Sequence, residues 1–94
     1  MGRYIRANDS YEDYKLFKAE LDNIRREWRA NPLYKNTGVS ICDYEEGEFL
    51  RAGVNWGAWG TQSPEDTKEF AEALLTAAEL CEELNNKFPN IEFF

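Results

Sequence analysis

Apolar residues recur along this chain with two different periods, and the change of period divides it. Tyr14, Phe17, Leu21, Ile24 and Trp28 follow one another at spacings of three, four, three and four, which is one face of an α-helix. The run ends ahead of Asn31-Pro32, because the residue before a proline is driven out of helical backbone angles. The spacing therefore predicts a first helix that stops near Ala30. Upstream, Asn8-Asp9-Ser10 reads as a turn and helix cap, with Asp13 three residues after Ser10, close to a capping box. Residues 3–7, RYIRA, alternate weakly and suggest a short edge strand.

Period two replaces period three-and-a-half after the loop at 33–38. VSICDY (39–44) and EFLRAGVNW (48–56) read as the strands of a hairpin around Glu45-Glu46-Gly47, with glycine at the turn. In the second strand Leu50, Ala52, Val54 and Trp56 share one face, and Phe49, Arg51, Gly53 and Asn55 share the other. The first set is apolar throughout, so it is expected to face the helices, with Trp56 in the core. The partners of the second set in the first strand are Val39 and Ile41 or Ser40 and Cys42, depending on register.

Ser63-Pro64-Glu65-Asp66 then starts a second helix: a cap, proline at the first helical position and acids in the first turn. Phe70, Leu74, Ala77, Ala78, Cys81 and Leu84 form its expected buried stripe, and it should end around Asn85-Asn86, ahead of Pro89. The tail NIEFF is too apolar to hang free and should dock as a strand or on the core. The expected fold is α+β in the order α-β-β-α. Two helices would pack on one face of a small antiparallel sheet, and residues 1–94 would make a single domain.

Charge changes this picture from a fold to a surface. The net charge is −7, and it is unevenly spread. Residues 1–36 carry eight Lys/Arg and six Asp/Glu, whereas residues 63–87 carry two and seven. Such a chain is not drawn to nucleic acid or anionic lipid by its overall field; it is drawn to basic surfaces. Glu65, Glu69, Glu72, Glu79 and Glu83 fall in a narrow stripe of the second helix, with Thr76 in the gap. This acidic rail is expected opposite the buried face. It reads either as a solvated helix face, with Lys68 and Lys87 giving local ion pairs, or as an imitation of a phosphate backbone. The first helix is two-sided as well. Lys15, Lys18, Arg25, Arg26 and Arg29 lie on one flank, and Glu12, Asp13, Glu20 and Glu27 on the other. Its basic flank could meet the acidic helix of a second copy, which makes a homodimer one use of the pattern.

Trp59 stands in the glycine-fenced loop GVNWGAWG (53–60). It is either an exposed interface anchor or a plug folded over the start of the second helix. Tyr44, Arg51 and Asn55 offer a second contact surface or a weak small-ligand site on the outer sheet face. Enzyme patterns are missing. Histidine is absent, and there is no glycine-rich phosphate loop, no nucleophile with a base and no Cys/His metal spacing. The carboxylates at the hairpin, Asp43, Glu45, Glu46 and Glu48, could bind a hard cation, but a turn tip excludes no water. A non-enzyme with no cofactor and no metal is the expectation. Cys42 and Cys81 read as small buried hydrophobes of a reducing cytoplasm. Neither a secretory signal nor a membrane span is read in the sequence.

Residues 54–85, VNWGAWGTQSPEDTKEFAEALLTAAELCEELN, resemble the strand–loop–helix tail of small proteins encoded by bacteriophages, prophages and other mobile elements. The matching features are Asn55-Trp56, Gly60, Ser63-Pro64-Glu65 and the Phe70-Ala71-x-Ala73-Leu74 run. The resemblance covers about a third of the chain. In size and acidity the chain also looks like the anti-CRISPR class of anti-defence inhibitors, which share no motif, so no residue role carries over. What the resemblance implies is an inhibitor acting in the bacterial cytoplasm. Its partner would be a host protein complex with a basic nucleic-acid-binding surface, such as a CRISPR effector, and it would bind neither nucleic acid nor membrane itself. The rail and Trp59, candidates read from the residues and not from the resemblance, would make the contact. The rival expectations are a sponge for a nucleotide defence signal, built on aromatic stacking with Arg51 or with Arg3 and Arg6, and a structural or regulatory accessory of the element.

Overall fold

The computed structural model describes residues 9–57 and 60–92. The expected strand at 3–7, the residues Arg3, Arg6 and Trp59, and the final two phenylalanines lie outside them. The order of elements is α1 (Asp9–Ala30), β1 (Val39–Glu46), β2 (Phe49–Trp56) and α2 (Pro64–Lys87). The fold is α+β, with both helices on one face of an antiparallel hairpin.

α1 ends at Ala30, as Asn31-Pro32 requires. It begins at Asp9, so Ser10 lies inside its first turn rather than at the cap. Phe17, Leu21 and Trp28 are buried, with Tyr14 and Ile24 packed beside them. The turn after α1 is held by side chains. The Asn31 carboxamide oxygen accepts from the Leu33 N–H at 2.9 Å, and the Thr37 hydroxyl donates to the Tyr34 carbonyl at 2.7 Å. Tyr34 stacks on Trp28 with ring centres 4.4 Å apart. The Trp28 indole N–H donates to the Val39 carbonyl at 2.8 Å, which fixes the entry into β1. Gly38 follows at φ +79°, and a Cβ there would lie 2.7 Å from the Gly57 carbonyl oxygen, so only glycine closes this end of the hairpin.

β1 and β2 pair with Val39 opposite Trp56, Ile41 opposite Val54 and Glu46 opposite Phe49. The turn is therefore the two residues Gly47-Glu48, one step later than the sequence suggested. Gly47 takes φ +62° at the first turn position, where two-residue hairpins favour glycine. The register settles the outer face: Ser40, Cys42 and Tyr44 lie beside Asn55, Gly53 and Arg51. The inner face supplies Val39, Ile41, Leu50 and Ala52 to the core.

Trp56 departs from expectation. It lies on the inner-face row yet is 61% exposed. As the last residue of β2 it keeps one edge-to-face contact with Phe70 of α2, centroids 6.4 Å apart, which leaves most of its ring to solvent. Cys42, on the outer face, is half-buried rather than buried; Cys81 is buried, and both are free thiols.

α2 is capped as its sequence dictates. The Ser63 hydroxyl accepts from the Asp66 N–H at 3.1 Å, and Pro64 follows at the first helical position. The buried stripe is Ala73, Ala77, Cys81 and Leu84. Phe70 and Leu74 are at its margin, and Ala78 is exposed. Two small residues at the centre let α2 approach β2 closely. Beyond α2, Phe88 and Ile91 are buried. The Leu50 N–H donates to the Ile91 carbonyl at 2.9 Å, and Glu92 bridges to Phe49. The tail thus docks on the β2 edge. No helix among the described residues is long and apolar enough to cross a membrane.

Candidate functional site

The acidic rail forms, but it does not stand where the sequence suggested. Glu65, Glu69, Glu72, Glu79 and Glu83 are all exposed. At about 100° per residue, the buried stripe observed here leaves the rail roughly 120° around the helix rather than opposite. Thr76, in the middle of the rail, is half-buried, whereas Leu75, on the true outer ridge, is 62% exposed, and Ala71 and Ala78 are exposed on the flank away from the rail. The expected stripe placed Ala78 inside and missed Ala73, and that error turned the wheel. Among the described residues none of the five rail carboxylates makes an ion pair. Lys87, expected to pair locally within α2, reaches across to Glu20 of α1 at 3.2 Å.

The consequence of the rotation is that the rail borders a furrow. α1 and α2 run antiparallel, and they are held apart on the side away from the sheet. Four hollows lie along this side of α2 and join through shared residues: two lie between the helices, and two between α2 and the turn at 32–37. The largest, about 490 Å³, has Ile24, Leu80 and Leu84 as its floor and Glu20, Glu83 and Lys87 at its rim. A second, sharing Ile24 and Leu80, reaches Trp28 and Tyr34. A third runs from Tyr34 to Leu33, Glu69 and Glu72. The last, about 300 Å³, adds Asp66 and Phe70 at the start of α2. The seam is lined by six carboxylates, Glu20, Glu27, Asp66, Glu69, Glu72 and Glu83, against one ammonium, Lys87. Three of the six are rail residues. Glu20 and Glu27 come from the acidic flank of α1, which the sequence did show. That the two acidic stripes face one another is a matter of packing, and no pattern along the chain carried it.

The basic flank of α1 points the other way. Lys18 lies 3.9 Å from Asp43 on β1, and Lys15 pairs with Glu12 at 3.2 Å. The two charged sides of the molecule therefore face in opposite directions.

The outer sheet face divides the second candidate group. Tyr44 and Arg51 are direct cross-strand neighbours, whereas Asn55 stands two pairs along beyond Gly53, opposite Ser40. Arg51 is committed to the fold. Its guanidinium donates to the Pro89 carbonyl at 2.8 Å, lies 4.8 Å over the Phe49 ring and sits 3.9 Å from Glu46. It straps the tail to the hairpin. The Tyr44 hydroxyl donates to Glu46 at 3.1 Å. Desolvation, then that bond, pushes its pKa above the ordinary value. The Tyr44 ring fills the space over Gly53, where a Cβ would lie 2.7 Å from it. The carboxylates at the hairpin do not converge. Asp43 turns to the inner face and Lys18, Glu46 turns to Arg51, and Glu48 is in the turn. Among the described residues no group of three or more acidic, Cys or His side chains is arranged to hold a metal ion.

No protein-family model matches the chain, and neither a curated protein nor a solved structure resembles it closely enough to count as a match.

Proposed function

We propose that the chain is a non-enzymatic binding protein of a bacteriophage or mobile element. Its acidic side occupies the basic nucleic-acid-binding surface of a host defence complex, a CRISPR effector being the leading candidate. The observation that carries this reading is the α2 rail: five exposed carboxylates without ion pairs among the described residues, on a single rigid element. From Glu65 to Glu83 the rail spans about 27 Å. A duplex carries ~16 phosphates over that length and one strand ~8. The rail's five carboxylates over that length come closer to the complement of one strand than to that of a duplex. The partner site is accordingly a channel for single-stranded nucleic acid or for one strand of a hybrid.

The test is capture from a bacterial lysate with tagged protein at low and high salt, beside a variant carrying Gln at 65, 69, 72, 79 and 83. The expected result is a nucleic-acid-binding complex recovered at low salt, diminished at high salt and lost with the variant. Equal recovery by the variant, or no protein partner at all, would overturn the reading. In the second case co-purified small molecules become the next object of study.

A further inference from the structure

We infer that the furrow along α2, walled by α1 at one end and by the 32–37 turn at the other, is a docking track for one amphipathic, basic α-helix of a protein partner. This rests on the reading of the chain as a protein-binding module and names what it binds: a helix laid in a groove, in addition to any surface met by the rail.

Three observations meet in the furrow. Its floor is apolar, with Ile24 facing Leu80 and Leu84. Leu84 is itself buried; the partly exposed Ile24 and Leu80, continued by Tyr34 and Leu33, receive the apolar side chains of a helix at i, i+4 and i+7. Its walls are acidic along the whole length, six carboxylates to one ammonium. An apolar helix alone would leave those charges facing a low-dielectric interface, and an acidic one would be repelled. A helix with Lys and Arg beside its apolar stripe satisfies both, because long cationic side chains lie over apolar surface and carry the charge to the rim. Its length is fixed as well. The seam follows α2 from Asp66 to Lys87, about 30 Å, or roughly six turns of helix.

A second copy of this chain does not supply that helix in a closed pair. The basic flank of α1 faces away from its own furrow, so copies would join head to tail into an open stack.

The experiment is a titration of isotope-labelled protein, followed by backbone amide shifts, with an 18-residue helical peptide bearing Leu at i, i+4, i+7 and i+11 and Lys elsewhere. The control peptide keeps every Lys and replaces each Leu by Ser. The Leu peptide is expected to shift Ile24, Leu80 and Leu84 and to bind at least about tenfold more tightly than the Ser peptide, as burial of two or more leucines requires. Leu80→Gln should remove that preference. Glu72→Lys, a surface change that leaves the core untouched, should weaken both peptides. Equal affinity for the two peptides, shifts confined to the outer ridge around Leu75, or absence of binding would overturn the inference. So would self-association of the free protein through these same residues. Equal binding driven by charge alone would leave the proposed inhibitor reading standing. Conversely, a positive titration beside a failed lysate capture would sink the inhibitor reading and keep the track.

Discussion

α2 has two seams, and they are built on opposite terms. Against β2 it presents Ala73, Ala77, Cys81 and Leu84, all buried, and no carboxylate. Near its end Asn85 turns its carboxamide onto the strand edge, donating to the Ala52 carbonyl at 2.9 Å and accepting from the Ala52 N–H at 2.8 Å. Ile91 satisfies Leu50 one step along the same edge. Against α1 the same helix leaves a furrow, with Glu20–Lys87 as the ion pair across it among the described residues. An exposed pair of that kind holds little. The sheet seam is closed and carries most of the stability of the fold, whereas the helix–helix seam leaves partly exposed apolar surface that the proposed partner helix would cover.

The sharpest way to break this contrast is to delete one apolar side chain from the closed core and one from the furrow. Phe17 is fully buried and meets Phe88 edge to face, centroids 6.2 Å apart. Phe17→Ala should cost about 3–5 kcal/mol, as a cavity in a closed core does. Leu80 is only partly buried at the furrow floor, and Leu80→Ala should cost about 1 kcal/mol or less, since much of its surface already meets water. Denaturant unfolding measures both. Equal losses would mean that the furrow is part of the core and the two seams do not differ.

Next in size is Asn85→Ala, which strips partners from two backbone groups of Ala52 at once. Each polar group left unsatisfied costs about 1–3 kcal/mol where water cannot reach it. Because this edge is only part-buried, a total of about 2 kcal/mol is expected in the same unfolding experiment. Hydrogen exchange at Ala52 should quicken with it. A neutral result would show that water replaces the carboxamide and that the β2 edge is not closed by side chains.

How much of this was legible along the chain depends on which seam is asked about. The period of Phe17, Leu21 and Trp28 marked the sheet-facing side of α1, because burial against a sheet leaves an unbroken apolar row. Ser63-Pro64 marked the start of α2, because a cap is local chemistry. Trp56 misled. Alternation tells which face a strand residue shares but not how much of it a helix covers, and Trp56 meets α2 through the edge of Phe70 and is left mostly exposed. The rail was legible as a stripe and misplaced as a direction. The alanines of α2 gave no amphipathic contrast, so Ala78 was taken for core and Ala73 was overlooked. The furrow was not legible at all. It depends on Lys87 pairing with Glu20, 67 positions away, and on how far two helices stand apart.

The smallest effect, absent at neutral pH, isolates the sheet seam by itself. Cys81 is the titratable side chain on that side of α2. Burial, with a lesser contribution from Cys42, pushes its thiol from an ordinary 9.0 up to about 11. The unfolded chain releases this proton near the ordinary value, whereas the folded chain keeps it until about 11. Between those values the unfolded state binds fewer protons than the folded one, so stability must fall as pH rises through that window. Tyr44, with its own raised pKa, contributes in the same direction from the outer sheet face. Tyr44→Phe separates the two: the alkaline fall in thermal midpoint should persist in that variant and become shallower in Cys81→Ala. A limb that vanished with Tyr44→Phe and survived Cys81→Ala would place water beside Cys81, and the seam now described as closed would have to be redrawn as open on both sides of α2.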